Sequence, residues 1–302
     1  IWARDRLGRA VEQQRLEDVP HWVSVLPQNV LRRAVRQFNP DVVVVNSIER
    51  WAWRLVHASC QELCLPTVLY VREEDSLRHL ETEAIPDVLV ANTLSLAENL
   101  RAKGLDCSFI PSVVDTSVTR TESSRRVALA INPIPIKGGD IVWAVARRLP
   151  DIPFVMQESW PLTGEDLERV ETEAAALPNV EFRRSMPPGP ALYGDARVLL
   201  VPYRVDSRPR VILEAQSNGI PVVAGDTPAL ADAVGAGGVL VSLEDIDACA
   251  DAVRDLWGDD DLYRRLSHEA AKHSQRSDVV PDTVAARFEA LASSVVEGTN
   301  GR

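Results

Sequence analysis

Residues 202–225, PYRVDSRPRVILEAQSNGIPVVAG, carry the pattern that decides the predicted fold. An apolar run over residues 211–213 that continues through residues 214–216 is typical of a short helix, which Gly219 and Pro221 end. The apolar residues 222–224 that follow are typical of a buried parallel strand. A helix that leads directly into such a strand indicates an α/β fold.

Two acidic residues, Asp206 and Glu214, stand eight positions apart in this stretch. Glu214 is flanked by Leu213 and Ala215, so its segment is too apolar to be a free surface. A carboxylate in such surroundings needs polar partners, such as sugar hydroxyls or backbone amides. We interpret the pair as candidate ligand contacts. The alternative for Glu214 is a solvated or capping residue on an ordinary helix.

The composition predicts a globular protein of two domains. The chain has 302 residues, of which 45% are hydrophobic and 25% charged, and this is enough apolar material for two cores. No stretch approaches the roughly 18 uninterrupted apolar residues of a membrane span, so only peripheral membrane contact is left open.

The net charge of −11 argues against nucleic-acid binding, which depends on Lys and Arg. Arg204, Arg208 and Arg210 form a local basic cluster suited to a small anion.

The cysteines and histidines predict no disulfide framework and no metal site. Cysteines 60, 64, 107 and 249 lack both metal-ligand spacing and the density of a disulfide scaffold. Reduced, structural thiols in a cytoplasmic protein fit this pattern. None of the five histidines has a partner at metal-ligand spacing, and the acidic run 259–261 is interpreted as the N-terminal cap of the helix that follows.

Strand and helix patterns alternate along the whole chain, which indicates doubly wound α/β domains. The first domain, residues 1–120, begins with helical composition over Trp2–Arg15; the chain starts at Ile1 rather than Met, which leaves open that a first strand is missing. A polar linker, TRTESSRR, covers residues 119–126. The second domain is predicted over 121–280, and residues 281–302 are expected to pack back on the domains as a helix.

The individual elements follow from the same periodicity. In the first domain the predicted strands are 41–46, 66–71, 86–91 and 107–110, and the helices are 48–63, 76–83 and 93–103, with Gly104 as the cap of the last. In the second domain the strands are 127–131, 154–156, 180–182, 198–201, 222–224 and 239–241, and the helices are 139–149, 164–176, 189–194, 211–217, 228–234 and 245–257. Two amphipathic helices are predicted between 263 and 296.

A phosphate site is predicted at residues 131–140, INPIPIKGGD, which join a strand to a helix. Lys137 and Gly138 then lie at the carboxyl end of the sheet, beside a helix N-terminus. The helix dipole contributes only about 0.3–1 kcal/mol, whereas a hydrogen bond from Lys to a charged group adds about 1.5–3 kcal/mol. Lys137 should therefore dominate phosphate contact; its alternative is a solvent-facing lysine in a turn.

Residues 198–241, VLLVPYRVDSRPRVILEAQSNGIPVVAGDTPALADAVGAGGVLV, resemble the donor-binding segment of the retaining glycosyltransferases of family 4. Residues 110–115, IPSVVD, resemble the interdomain signature of that family. The resemblance implies the GT-B fold, in which two Rossmann-like domains face each other across the active site. It also implies transfer of a sugar, with retention and without metal or cofactor, from a nucleotide-diphosphate donor to a hydroxyl of a carbohydrate or other acceptor.

The resemblance assigns roles to residues of this chain. Glu214 would hold the ribose, Asp206 the hydroxyls of the donor sugar, and Lys137 the diphosphate leaving group. Residues 183–186 would lie near the base. The expected catalytic residues are Arg72, Lys137 and Asp206, and the expected donor-binding residues are Asn132, Lys137, Gly138, Arg184, Ser207, Arg208, Arg210, Val211 and Glu214.

Several positions depart from the family pattern. The family usually has Glu where this chain has Asp206, and Arg where it has Asn132. Arg208 or, more so, Arg210 is suited to replace the lost cation, although both fit a solvated basic loop equally well.

The first domain departs from the pattern as well. Where the family often carries a His, this chain continues Arg72-Glu73-Glu74-Asp75. Arg72 is expected to contact phosphate or acceptor and Glu73 to orient an acceptor hydroxyl, while Glu74 and Asp75 are interpreted as helix caps. Two alternatives to transfer stay open, namely a weakened scaffold that binds a nucleotide sugar or a partner, and a nucleotide-sugar epimerase.

Overall fold

The computed structural model describes residues 12–16, 19–23, 27–46, 50–72, 84–185 and 187–300. The chain divides into two compact units, Ile1–Pro111 with Ala285–Arg302, and Ser112–Val284. The first unit thus contains both ends of the chain. The divisions fall at residues 111 and 284, where the sequence pattern suggested 120 and 280.

The first unit is built on a parallel sheet of four strands in the order β3-β4-β5-β6, with a separate antiparallel hairpin β1-β2. Its elements are β1 Glu12–Leu16, β2 Val19–Val23, α1 Pro27–Phe38, β3 Val43–Asn46, α2 Arg50–Glu62, β4 Thr67–Val71, β5 Val88–Ala91, α3 Leu94–Ala102, β6 Cys107–Phe109 and, from residue 285 onward, the helix α10 Pro281–Asn300. The four predicted strands are confirmed.

Two local predictions in the first unit have opposite outcomes. The helical expectation for Trp2–Arg15 is wrong for the part that is described, because β1 pairs with β2 and Gln14 lies opposite His21. That pairing satisfies between strands the backbone groups that a helix would satisfy internally. The predicted cap at Gly104 is confirmed, since its φ of 83° is left-handed and its N–H donates to the Arg101 carbonyl at 2.9 Å.

The second unit is a six-stranded parallel sheet in the order β12-β11-β10-β7-β8-β9. Its strands are β7 Val127–Ile131, β8 Phe154–Gln157, β9 Val180–Arg183, β10 Ala196–Val201, β11 Val222–Gly225 and β12 Gly238–Val241. Its helices are α4 Gly139–Arg148, α5 Gly164–Ala175, α6 Arg210–Ser217, α7 Pro228–Val234, α8 Ile246–Gly258 and α9 Asp260–His273. All six predicted strands are confirmed, while the helix predicted at 189–194 is a 3-10 turn, Pro190–Leu192.

Alternate strand residues enter two separate cores, so the sheet of the second unit is covered on both faces. On β7, Ala128 and Ala130 pack with α4 and α8, whereas Leu129 and Ile131 pack with α6 and α7. The predicted doubly wound α/β class is confirmed. The acidic run also caps as predicted, because the carboxylate of Asp259 accepts the N–H groups of Asp261 and Leu262.

The strand order of the second unit reverses between β7 and β10, which is the switch point of a Rossmann sheet. Ligands of open α/β sheets bind at such a point, outside the carboxyl ends of the strands. The chain leaves β7 at residue 131 and β10 at residue 201, so the two loops that follow flank the expected ligand position. Among the described residues, no helix combines the length and apolar character that a membrane span requires.

Candidate functional site

A turn after β7 holds Lys137 at the switch point. Residues Pro135–Lys137 form one 3-10 turn, Gly138 follows with a φ of 68°, and α4 begins at Gly139. A Cβ atom on Gly138 would lie 2.0 Å from the carbonyl oxygen of Pro202. Only glycine lets this turn lie directly against the loop that follows β10.

Lys137 is a partly buried cation between two aromatic rings. Its Nζ lies 3.7 Å from the ring centroid of Trp160 and 5.2 Å from that of Tyr203. Burial lowers its pKa to about 8. In the described part of the chain no carboxylate forms an ion pair with Lys137. The aromatic faces attract the ammonium without neutralising it, so its charge remains available to an anion.

An ion pair joins the two loops beside Lys137. The guanidinium of Arg204 donates two hydrogen bonds of 2.6 Å to the Asp140 carboxylate, and it also donates to the Pro135 carbonyl. The hydrogen bonds from Arg204 lower the pKa of the Asp140 carboxyl group. Of the three arginines 204, 208 and 210, Arg204 is thus paired with Asp140 and stabilises the turn that carries Lys137.

The loop of residues 202–209 is tied to α7. The Asp206 carboxylate accepts the Ala229 N–H at 2.8 Å, in the first turn of that helix. The Arg208 guanidinium is largely buried and lies 3.1 Å from the Asp232 carboxylate. Its charge is therefore balanced within the protein. Arg210, in contrast, is exposed and has no ion-pair partner among the described residues.

Glu214 is held by a core tyrosine. The Tyr193 hydroxyl donates a 2.7 Å hydrogen bond to Oε2 of Glu214, and Tyr193 is fully buried. Burial, and then the Glu214 charge, raise the pKa of Tyr193, with a smaller rise from Tyr203 and an opposing effect from Arg210. The charges of Glu214 and Arg210 thus both act on the Tyr193 hydroxyl, and Glu214 also contacts it directly. Lys137 in turn contacts the ring of Tyr203.

A buried carboxylate closes the loop after β8. Glu158 is 1% exposed; its Oε1 accepts the Leu162 N–H at 2.7 Å, and its Oε2 accepts the Ser185 N–H. Arg184 lies 3.2 Å from the same Oε2. Desolvation raises the pKa of Glu158, but the two amides and Arg184 outweigh it and the pKa is lowered overall. The loop carrying Trp160 is thus clamped to the segment after β9.

Asn132 is fully buried in the same region. Its Oδ1 accepts the Ser159 N–H at 2.7 Å, and its backbone adopts a left-handed φ of 46°. Its side-chain Nδ2 finds no hydrogen-bond partner in the described structure. The observed contacts of Asn132 therefore hold the Trp160 loop, and its contact with a donor stays a prediction.

The remaining predicted site residues lie in different surroundings. Ser207 and Val211 are half-buried, in the loop after β10 and in the first turn of α6. Arg72 is exposed directly after β4, in the first unit. The roles predicted for Glu73, Glu74 and Asp75, the helix predicted at 76–83, and Met186 lie outside the described residues.

The structure adds residues that sequence reasoning missed. Trp160, Tyr203 and Glu158 each follow the carboxyl end of a strand, and that position is the signal that could have singled them out. Tyr193 carries no such signal, because its sequence neighbours form a 3-10 turn outside the sheet edge. Only the packing of that turn against α6 brings its hydroxyl to Glu214.

Comparison with known proteins finds glycosyltransferases. A family model described as glycosyl transferases group 1 matches residues 149–259. A D-inositol 3-phosphate glycosyltransferase of Corynebacterium urealyticum is 34% identical over 140 residues, which cover 43% of this chain and 33% of that protein. Its namesake from Nocardia farcinica is 27% identical over 308 residues, covering 85% of this chain and 68% of that protein.

A solved structure extends the likeness to the fold. The crystal structure of Anabaena HepE in complex with UDP and glucose superposes with a TM-score of 0.71 at 19% identity, covering 88% of this chain and 81% of that chain. At this identity the likeness shows the fold, which is GT-B as expected. The segment matched in the Corynebacterium protein is a third of its length.

Proposed function

We propose that this chain, a family-4-like glycosyltransferase of the GT-B fold, moves a sugar from a nucleotide-diphosphate donor to a hydroxyl group of an acceptor. The observation that carries the proposal is the combination of Lys137 and Glu214 at one Rossmann sheet edge. Lys137 is a desolvated cation, and Glu214 is a carboxylate oriented from the core. A diphosphate and a ribose need these two kinds of group.

The chemistry follows from the charges. The bond between the anomeric carbon and the diphosphate oxygen breaks, and the acceptor oxygen bonds to that carbon as its proton passes to the departing diphosphate oxygen. Negative charge grows on the departing diphosphate, where a preorganised cation lowers the barrier. Lys137 is the first such cation in our proposal, and the exposed Arg210 the second.

Two carboxylates and Arg72 have further roles in our proposal. Glu214 accepts hydrogen bonds from the ribose hydroxyls, and Asp206 accepts them from the donor sugar. Arg72 binds the acceptor or its phosphate. The names of the relatives make an inositol phosphate the first acceptor to assay.

Three further features belong to the proposal. Retention of configuration is supported by the family resemblance of residues 198–241. Independence of metal is supported by Lys137, which supplies the positive charge that a metal would otherwise bring.

A cytoplasmic location is supported by four free cysteines. Burial raises the pKa of the Cys60, Cys107 and Cys249 thiols to about 11, which keeps these thiols unreactive.

The test is transfer with a panel of UDP, GDP and ADP sugars, followed by mass spectrometry of the products. Lys137→Ala and Glu214→Ala should each lower kcat/KM by at least about a hundredfold. Matched surface variants, Lys272→Ala and Glu289→Ala, should retain the wild-type value. Equal activity of Lys137→Ala, Glu214→Ala and the wild type would overturn the assignment.

A second candidate is a scaffold that binds a nucleotide sugar without transferring it. Two observations favour it: the Asp206 carboxylate already accepts the Ala229 N–H, and Asn132 is buried where the family usually has Arg. Nucleotide binding without any new product across the donor and acceptor panel would support the scaffold. A donor recovered with an inverted sugar centre would instead identify an epimerase.

A further inference from the structure

The loop between β8 and α5 carries the exposed side chain of Trp160 and is held by buried polar side chains. Glu158 accepts the Leu162 N–H within this loop and the Ser185 N–H after β9. The Gln157 side chain adds hydrogen bonds to the carbonyls of Arg183 and Arg184, at 3.3 and 3.0 Å. Two buried side chains thus join this loop to the segment after β9.

Trp160 lies between two parts of the proposed donor site. The order β7-β8-β9 in the sheet places the loop after β8 between the Lys137 turn and residues 184–185. One face of the indole lies over Lys137 Nζ at 3.7 Å. Any diphosphate that pairs with this ammonium therefore also lies beside the indole.

The indole has no core role that explains its position. Trp160 is 47% exposed, and an aromatic ring of this size gains most when it is covered. Stacking on a flat π-system covers such a ring, and every nucleobase has a π-face. A base attached to the diphosphate at Lys137 and directed toward residues 184–185 passes over Trp160.

We propose that Trp160 is a donor-binding residue that stacks on the nucleobase, and that Glu158 is the positioning residue that holds it there. This inference rests on the proposed function and names a recognition element of the same site. Lys137 then binds the diphosphate, while Trp160 adds affinity that depends on the base alone.

The test distinguishes binding energy that comes from the nucleobase from binding energy that comes from the diphosphate. Binding of UDP, GDP, ADP and inorganic pyrophosphate is measured by calorimetry for the wild type, Trp160→Leu and Trp160→Phe. Loss of one base–aromatic stack weakens binding by about tenfold. Trp160→Leu should therefore bind the preferred nucleoside diphosphate about tenfold more weakly, whereas pyrophosphate binding should be unchanged or tighter. Trp160→Phe should restore most of the loss.

A matched control comes from the first unit. Trp51 is 50% exposed on α2, and Trp51→Leu should leave both ligands unaffected. Bound nucleotide should quench tryptophan emission in the wild type and in Trp51→Phe, but much less in Trp160→Phe. Thermal unfolding of each variant checks that the fold is intact.

The outcomes are distinct. An equal loss of nucleotide and pyrophosphate binding in Trp160→Leu would show that the indole acts only through Lys137, and unchanged binding of both would show that it contacts no ligand; either result overturns the inference. If the wild type binds none of the three nucleoside diphosphates, the proposed function fails and the inference fails with it.

Discussion

The hydroxyl of Tyr193 donates a 2.7 Å hydrogen bond to the carboxylate of Glu214. Because Tyr193 is fully buried and its pKa is raised first by burial and then by Glu214, the hydroxyl stays protonated and remains a donor. The bond fixes Oε2 of Glu214 from the core side. In our proposal the second carboxylate oxygen, Oε1, accepts the ribose hydroxyls, so a core residue sets the orientation of this half-buried carboxylate.

Replacing Tyr193 by Phe should remove the hydrogen bond that holds the Glu214 carboxylate. We expect a loss of about 1–2 kcal/mol in the free energy of unfolding, because a hydrogen bond to a charged group is removed. We also expect nucleoside diphosphate binding to weaken about three- to tenfold. Chemical denaturation and calorimetry measure the two effects. Tyr263→Phe, at another buried tyrosine on α9, is the control; equal nucleotide affinities in the two variants would contradict the role of Tyr193.

Lys137 should make donor binding fall at alkaline pH. The ammonium form, which attracts the diphosphate, predominates below its pKa of about 8, and the neutral amine predominates above it. The association constant for pyrophosphate should therefore decrease about tenfold per pH unit above about pH 8. Lys137→Arg, whose guanidinium stays charged, should bind with little change up to pH 10. A flat profile for the wild type would exclude Lys137 as the main phosphate contact.

Because it is partly buried, the charged Lys137 side chain should lower the free energy of unfolding. Its pKa of about 8 in the folded protein lies below the ordinary value of 10.5, so the unfolded chain holds this proton more tightly. Wild-type stability should consequently rise as the pH increases from about 8 to 10.5. At pH 7, Lys137→Met should increase the free energy of unfolding by about 1–2 kcal/mol, a figure discounted for partial solvation. Lys272→Met, at an exposed site, should not.

Gly138→Ala should break the contact between the two loops at the switch point. The new Cβ would lie 2.0 Å from the Pro202 carbonyl oxygen at a φ of 68°, so strain and overlap together should cost about 3 kcal/mol or more. Gly104→Ala is the matched control, since it also has a positive φ but nothing within 4 Å. It should cost only about 1–2 kcal/mol. Denaturant unfolding distinguishes the two, and nucleotide binding should be lost in Gly138→Ala alone.

Glu158 should contribute to stability as well as to position. Glu158→Ala leaves the Leu162 and Ser185 amides without their acceptor, which should cost about 2–4 kcal/mol. Glu158→Gln keeps one acceptor and should lose about half as much. Because the pKa of Glu158 is lowered, its contribution is present above the ordinary value of 4.5 and is lost as the pH falls through the lowered pKa. Urea midpoints of the wild type should show this loss, and those of Glu158→Gln should not.

Local pattern determined most of the architecture. Apolar runs bounded by glycine and proline predicted all six strands of the second unit and the turn at Lys137, because buried strands and tight turns each restrict which residues fit. The same signals failed at residues 12–16, where the local composition favours a helix but pairing with residues 19–23 forms a strand. Pairing with the neighbouring strand overrides a weak local preference for a helix.

The sequence by itself determined which charged residues stand near the ends of the strands, since Lys137, Asp206 and Glu214 follow β7 and β10 in an order that the α/β pattern makes visible. Only the tertiary structure decided which of the charged side chains near these strand ends form ion pairs within the protein and which do not. Arg204 and Arg208 are paired with acidic side chains, Lys137 lies against the Trp160 and Tyr203 rings, and Glu214 is held by Tyr193, which follows a separate turn. The physical reason is that burial and ion pairing arise between segments that are far apart in sequence and meet only in the folded chain.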